Sequence, residues 1–291
     1  MPELPEVEVT RLRIAPLLED RTVAEIHATR PSRFFLTSPS TLRRRLPGRT
    51  VRRLERRGKY LVATLDDASR LVLHLGMTGQ LFSGDATSPR LLSRASRSTL
   101  APEQQRRFRP DTHTHLRLGF EDGGPEVLFR DVRKFGKVLL LAPGQRSERL
   151  DRLGIEALEL TGEELFRATR GRKVAIKSLL LDQSVVAGTG NIYSDEALFL
   201  AGVRPTRRSG RITRRECHRI SQQIKRVMQR SIETGGSSIS DFVAPDGRDG
   251  GYQDERRVYA RKGEPCHRCG GRIRRVVIGQ RSTHYCPGCQ R

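Results

Sequence analysis

The chain has 291 residues, enough for two or three domains with cores of their own, and is 35% hydrophobic and 30% charged. Lys and Arg number 55 against 33 Asp and Glu, a formal net charge of +22 that calls for a polyanionic partner, nucleic acid above all. No apolar run approaches the about 18 residues of a membrane span, and MPELPEVEVT lacks the basic start of a signal peptide, so the reading is a cytoplasmic protein with no membrane partner.

Leu4, Val7, Ile14 and Leu18 recur at helical spacing over residues 3–18, with Pro5 in the first turn, where proline is tolerated. Pro2 follows Met1 directly. Once Met1 is removed, the new terminus is a secondary amine, which can attack a carbon such as a sugar C1′ and form a charged iminium. An α-amine titrates at about 7.7–8.0, so part of it is free base near neutrality. A helix beginning at Glu3 would lower that value further through its positive dipole end. Glu3 and Glu6 lie three apart on one helical face, where a carboxyl can shuttle protons. Taken alone this segment distinguishes little, because acidic residues favour the first turn of any helix.

From Arg21 to Leu141 short apolar runs (KYLVATL, LVLHLGM, KVLLLA) are separated by Gly, Pro and Asp, which predicts a sheet-rich domain. Residues 83–112, rich in Ser, Arg and Pro, read as a mobile insertion, and APGQRSERL at 142–150 reads as a linker. The second half reads as helical. Thr161/Glu164 and Thr213/Glu216 are capping-box pairs. Cys217, Ile220, Ile224, Val227 and Met228 form one apolar face ended by Gly235-Gly236, so Cys217 is expected to be a core thiol. A Gly/Ser-bearing stretch then leads to the remaining cysteines.

Cys266-His-Arg-Cys269 and Cys286-Pro-Gly-Cys289 form two CxxC pairs separated by residues 270–285, room enough for a hairpin. In a reducing compartment this spacing predicts one structural Zn²⁺ held by four thiolates, with no open position for catalysis. His267 and His284 stand near enough to substitute, but the all-cysteine set is the simpler one. Arg272, Arg274, Arg275 and Arg281 stud the hairpin and suit phosphate contact. Gly188-Thr-Gly190 lacks the third glycine of a dinucleotide fingerprint.

MPELPEVE, HLGMTG (74–79), DVRKFG (131–136), AGTGNIYSDEALF (187–199) and the cysteine pattern occur together and in order. With them the chain resembles the bacterial formamidopyrimidine-DNA glycosylases, 8-oxoguanine glycosylase/AP lyases, over nearly its full length except 83–112. The resemblance implies an α+β multidomain fold. Its parts would be an N-terminal β-sandwich with flanking helices (1–146), a linker (147–160), a helix–two-turn–helix domain (161–256) and a zinc β-hairpin finger (257–291), with DNA in a basic cleft between the halves. It implies Pro2 as nucleophile, Glu3 as general acid/base, Lys59 in β-elimination and Arg281 in δ-elimination and phosphate binding. His113, Arg133, Arg172 and Asn191 would contact DNA, while Met77, Arg133 and Phe135 would fill the hole left by an extruded base, a task that suits a flexible apolar plug, a donor fork and an aromatic wedge.

The implied partner is damaged double-stranded DNA, bound by a monomer. Three positions depart from the family's pattern. The link from HLGM to the DNA-facing His is longer, so that His113 rather than His115 is the aligned residue. Arg172 stands where Lys is common. The 236–252 loop is variable, which leaves lesion preference open. His74 is left between a core and a site role. The alternatives are an endonuclease VIII-type enzyme for oxidised pyrimidines, against which LPEVE and the separated trio argue, and a DNA-binding homologue without chemistry, against which Pro2, Glu3 and Lys59 argue.

Overall fold

The computed structural model describes residues 1–86, 110–238 and 242–291. Residues 87–109, most of the stretch read as an insertion, lie outside the described residues, as do 239–241. The chain divides into two compact units, Met1–Ser147 with Thr234–Gly251, and Glu148–Glu233 with Tyr252–Arg291. No helix among the described residues is long and apolar enough to cross a membrane.

The first unit opens with helix α1 (Leu4–Leu18), and the apolar positions Leu4, Val7, Ile14 and Leu18 are all buried. Two four-stranded antiparallel sheets follow. One runs β1 (Val23–Ala28), β6 (Thr114–Phe120), β7 (Val127–Asp131), β5 (Gly79–Ser83); the other runs β2 (Val51–Arg57), β3 (Tyr60–Leu65), β4 (Arg70–His74), β8 (Lys137–Leu141). Ile26, Leu118 and Phe129 of the first sheet and Leu54, Leu61, Leu73 and Val138 of the second join Val7, Ile14 and Leu18 in one core. The two inner faces therefore bury each other, and the sandwich expected from the resemblance is present. The strand reading of 21–141 omits helix α2 (Pro39–Arg45), which Ser38 starts by accepting the Thr41 amide at 3.2 Å and whose first turn Pro39 fits.

The second unit holds α3 (Glu148–Asp151), a two-residue parallel pair of β9 (Ile155–Glu156) and β10 (Val186–Ala187), α4 (Gly162–Thr169), α5 (Ile176–Leu181), α6 (Asn191–Ala201) and α7 (Arg214–Glu233). It ends in the hairpin β11 (Arg274–Ile278) and β12 (Arg281–Tyr285). Both capping boxes form: Glu164 N donates to Thr161 Oγ1 at 3.2 Å and Thr161 N to Glu164 Oε2 at 2.9 Å, with the same two distances for Glu216 and Thr213. Cys217, Ile220, Ile224, Val227 and Met228 are the buried face of α7, and burial pushes the Cys217 thiol up to about 11, as befits a core residue. In the finger, Cys266, Ile273 and Cys286 pack with Phe199 of α6 and Val258.

Candidate active site

Pro2 is buried one residue before the helix cap, Glu3, which is itself only 3% exposed. The Glu3 amide donates to Glu6 Oε2 at 2.9 Å, and Ser237 N donates to Glu6 Oε1 at 2.9 Å. The backbone that carries the Pro2 nitrogen is thus held at a helix start.

Lys59 occupies the two-residue turn between β2 and β3, closed by the Arg57–Tyr60 pair and by Gly58 at φ +56. It is 7% exposed, so it is no ordinary surface charge. Helix α1 packs against β2, and Arg56 Nε reaches Glu8 Oε2 at 2.9 Å, fastening the base of this turn to the helix. Burial would raise the Glu8 carboxyl, but hydrogen bonds and charge from Arg11 and Arg56 prevail and hold it below the usual range. His74, at the end of β4, lies 4.7 Å (ring centroids) from Tyr60, beside Lys59 in the chain, and takes the Gly76 amide at 3.2 Å.

Met77 and Phe135 are half-buried and outside the core cluster, and Arg133 is exposed. The Arg33 and Arg133 guanidinia each lie 4.6 Å from the Phe135 ring centroid, and Arg33 Nη2 donates to Arg133 O at 3.0 Å. The turns carrying Met77 and Phe135 meet, because Thr78 Oγ1 donates to Asp131 Oδ1 at 2.5 Å. The two histidines separate cleanly. His115 is buried, its Nε2 is 3.0 Å from Asp131 O, and burial pushes its imidazole pKa down. His113 is half-buried, its amide held by Asp111 Oδ1 at 3.0 Å, which favours His113 as the outward-facing residue.

In the second unit Asn191 is the first residue of α6, after Gly188 at φ +96 and Gly190, so a glycine-bearing turn leads into a helix start, the backbone form that suits an anion. Asn191 Nδ2 donates at 3.0 Å to the carbonyl of Ser282, the residue that follows Arg281 in the chain. Arg281 is exposed at the start of β12, after the two-residue turn Gly279-Gln280, where both residues have positive φ as a tight hairpin demands. Lys177 also donates to Ser282 O, at 3.0 Å, and pairs with Asp195 at 2.6 Å, both side chains wholly buried; Asp195 takes the His284 amide at 2.7 Å. Glu196 accepts the amides of Arg257, Val258 and Tyr259, and burial raises its carboxyl pKa. No pattern in the sequence marks these three buried ionic residues, since charged helix positions are usually solvated. Arg172 is exposed before α5, 3.8 Å from Asp182, and no described contact joins it to Asn191 or Arg281.

The four Sγ atoms of Cys266, Cys269, Cys286 and Cys289 lie within 4.8 Å of one another, with 3.9 Å between 266 and 289 and 3.4 Å between 269 and 286. Tetrahedral zinc with bonds of about 2.3 Å sets thiolates at such separations, so the donor set fits one structural ion. His267 and His284 are not part of this cluster.

Family models match almost end to end: the formamidopyrimidine-DNA glycosylase N-terminal domain over residues 1–138, the H2TH domain of the same enzymes over 153–243, and the zinc finger found in FPG and IleRS over 263–291. The chain is 42% identical to the formamidopyrimidine-DNA glycosylase of Cupriavidus pinatubonensis and 40% identical to that of Teredinibacter turnerae, each over the whole of both chains. Among solved structures it is similar to MutM (Fpg) from Thermus thermophilus, with TM-score 0.82, 36% identity and coverage of 99% of this chain and 98% of that one. It is also similar to a Lactococcus lactis Fpg variant solved with Fapy-dG-containing DNA, with TM-score 0.84, 33% identity and full coverage of both chains. The chain belongs to the formamidopyrimidine-DNA glycosylase family.

Proposed function

We propose that the chain is a bifunctional DNA glycosylase/AP lyase that removes oxidised purines, 8-oxoguanine and formamidopyrimidines, from duplex DNA. The carrying observation is the buried Pro2 set before a capped helix start, with Glu3 and Glu6 around it. The match to Fpg relatives over the full length supports the same activity. After loss of Met1, the Pro2 amine attacks C1′ of an extruded nucleotide; the N–C1′ bond forms as the glycosidic bond breaks, and the departing base takes up a proton. The amine gives up its proton, Glu3 moves a proton to O4′ as the C1′–O4′ bond breaks to leave the ring-opened iminium, and the buried Lys59 serves the β-elimination that takes the C2′ proton and breaks the C3′–O bond. Arg281 assists the δ-elimination that releases the 5′-phosphate, leaving a gap with phosphorylated ends.

His113, Arg133, Arg172 and Asn191 hold DNA phosphates and the opposite strand, and Met77, Arg133 and Phe135 occupy the vacated stack. Cys266, Cys269, Cys286 and Cys289 hold the zinc that keeps the Arg281 hairpin folded. The working division along the sequence is 1–146, 147–160, 161–256 and 257–291, with Thr234–Gly251 of the third segment packing in the first unit, in a monomer acting on cytoplasmic DNA.

Borohydride trapping on an 8-oxoguanine duplex tests the reading. A covalent adduct is expected from the mature chain and none when Met1 is retained. An adduct that survives blockage of Pro2 sinks the mechanism, binding without any adduct points to a protein without chemistry, and preference for thymine glycol points to the pyrimidine-specific enzyme.

A further inference from the structure

Asp131, the last residue of β7, is wholly buried and lies where every turn of the proposed wedge leaves the sheet. Its Oδ1 takes the Thr78 hydroxyl at 2.5 Å and its Oδ2 takes the Gly136 amide at 2.6 Å. The Arg133 amide donates to Thr78 Oγ1 at 3.1 Å and is 3.3 Å from Asp131 Oδ1. The main chain of Asp131 is held as well, with its amide on His113 O at 2.9 Å and its carbonyl 3.0 Å from His115 Nε2. The two turns also interlock without side chains. Gly76 has φ +65, and a Cβ there would stand 2.5 Å from Gly136 N and from Phe135 C.

A carboxylate buried this deeply adds little net stability compared with a well-packed apolar group; what its donors provide is fixed geometry. We propose that Asp131 and Thr78 are positioning residues that hold the Met77 turn and the Arg133–Phe135 turn as one preset wedge for the stack vacated by the damaged base. This rests on the reading of those three residues given above. A preset wedge inserts without first ordering two loops, so the clamp matters where a base must be extruded from paired DNA. It is dispensable where no stack has to be filled, as in a single strand that already carries an abasic sugar.

The test compares wild type, Thr78→Val, Thr78→Ser and Asp131→Asn on two substrates: an 8-oxoguanine:cytosine duplex and a single-stranded oligonucleotide with a preformed abasic site. Thr78→Val removes the hydroxyl at near-constant shape, and Thr78→Ser keeps it. For Thr78→Val and Asp131→Asn, kcat/KM on the duplex should fall roughly 10–100-fold, as loss of wedge alignment implies, with cleavage of the abasic single strand unchanged. Thr78→Ser should recover the duplex activity. Amide exchange at 76–79 and 132–136 should quicken together in Thr78→Val. An equal fall on both substrates, or no fall on either, overturns the proposal. If the wild-type chain cuts neither substrate, the proposed function falls instead, and uncoupled exchange of the two turns would still overturn the clamp.

Discussion

Ser237 is bound to Glu6 across 231 positions of sequence: its amide donates to Glu6 Oε1 at 2.9 Å, while the other oxygen holds the Glu3 amide at the same distance. One carboxylate therefore registers both the start of α1 and the start of the 236–252 loop. Gly236, at φ +86, has no space for a side chain, since a Cβ would stand 2.9 Å from the Phe242 ring and 3.4 Å from Glu6 Cγ.

Glu6→Gln keeps one acceptor oxygen and replaces the other with a donor, so one of the two amides loses its partner. Because a displacement of about 1 Å near the reacting amine is worth up to roughly 100-fold in rate, kcat on the 8-oxoguanine duplex should drop 10–100-fold. Duplex affinity should change far less. Single-turnover kinetics beside a binding titration checks the split; an affinity loss matching the rate loss would refute it.

The Glu8 carboxyl, held low by Arg11 and Arg56, contributes stability above the ordinary carboxylate pKa and loses it as pH falls through its depressed native value. Glu8→Gln should therefore cost about 1 kcal/mol at pH 7, discounted for partial exposure, and close to nothing once wild-type Glu8 is itself protonated. Urea unfolding of both proteins across acid pH reads this directly. A cost that grows toward acid would have the wrong sign.

Removing the metal, by chelation or by Cys269→Ser, should release the Arg281 hairpin, because Cys266 and Cys286 supply part of the small core shared with Phe199 and Val258. Duplex affinity should fall at least tenfold, since a disordered finger must be reordered on binding. The β-sheet signal of the first unit should persist in circular dichroism. Full duplex affinity after verified metal loss would contradict this account.

Thr213→Ala removes the oxygen that takes the Glu216 amide at the start of α7 and should destabilise the protein by about 1 kcal/mol, with Thr213→Ser nearly neutral. Thermal unfolding of the two variants is the measurement. Equal losses for Ala and Ser would show that packing, not the cap, matters there.

Much of this protein is written in short-range pattern. The burial of Val7, Ile14 and Leu18, both capping boxes, the buried stripe from Cys217 to Met228 and the two CxxC pairs of the clustered thiols follow from short spacings that one or two helix turns, or one ion, enforce. The place of Pro2 belongs here too: that it stands at the threshold of a helix is a local fact.

Tertiary structure decided what depends on partners far away in sequence. It buried Lys59 at a turn, turned His115 inward and left His113 half-exposed, and paired Lys177 with Asp195 beneath Ser282. It returned Thr234–Gly251 to the first unit and set Asp131 between the turns of Met77 and Phe135. A charged or polar residue carries no periodic signal for such a role. Whether it is solvated or buried is fixed by which donors and acceptors the folded chain brings to it, and that is known only once distant segments have come into register.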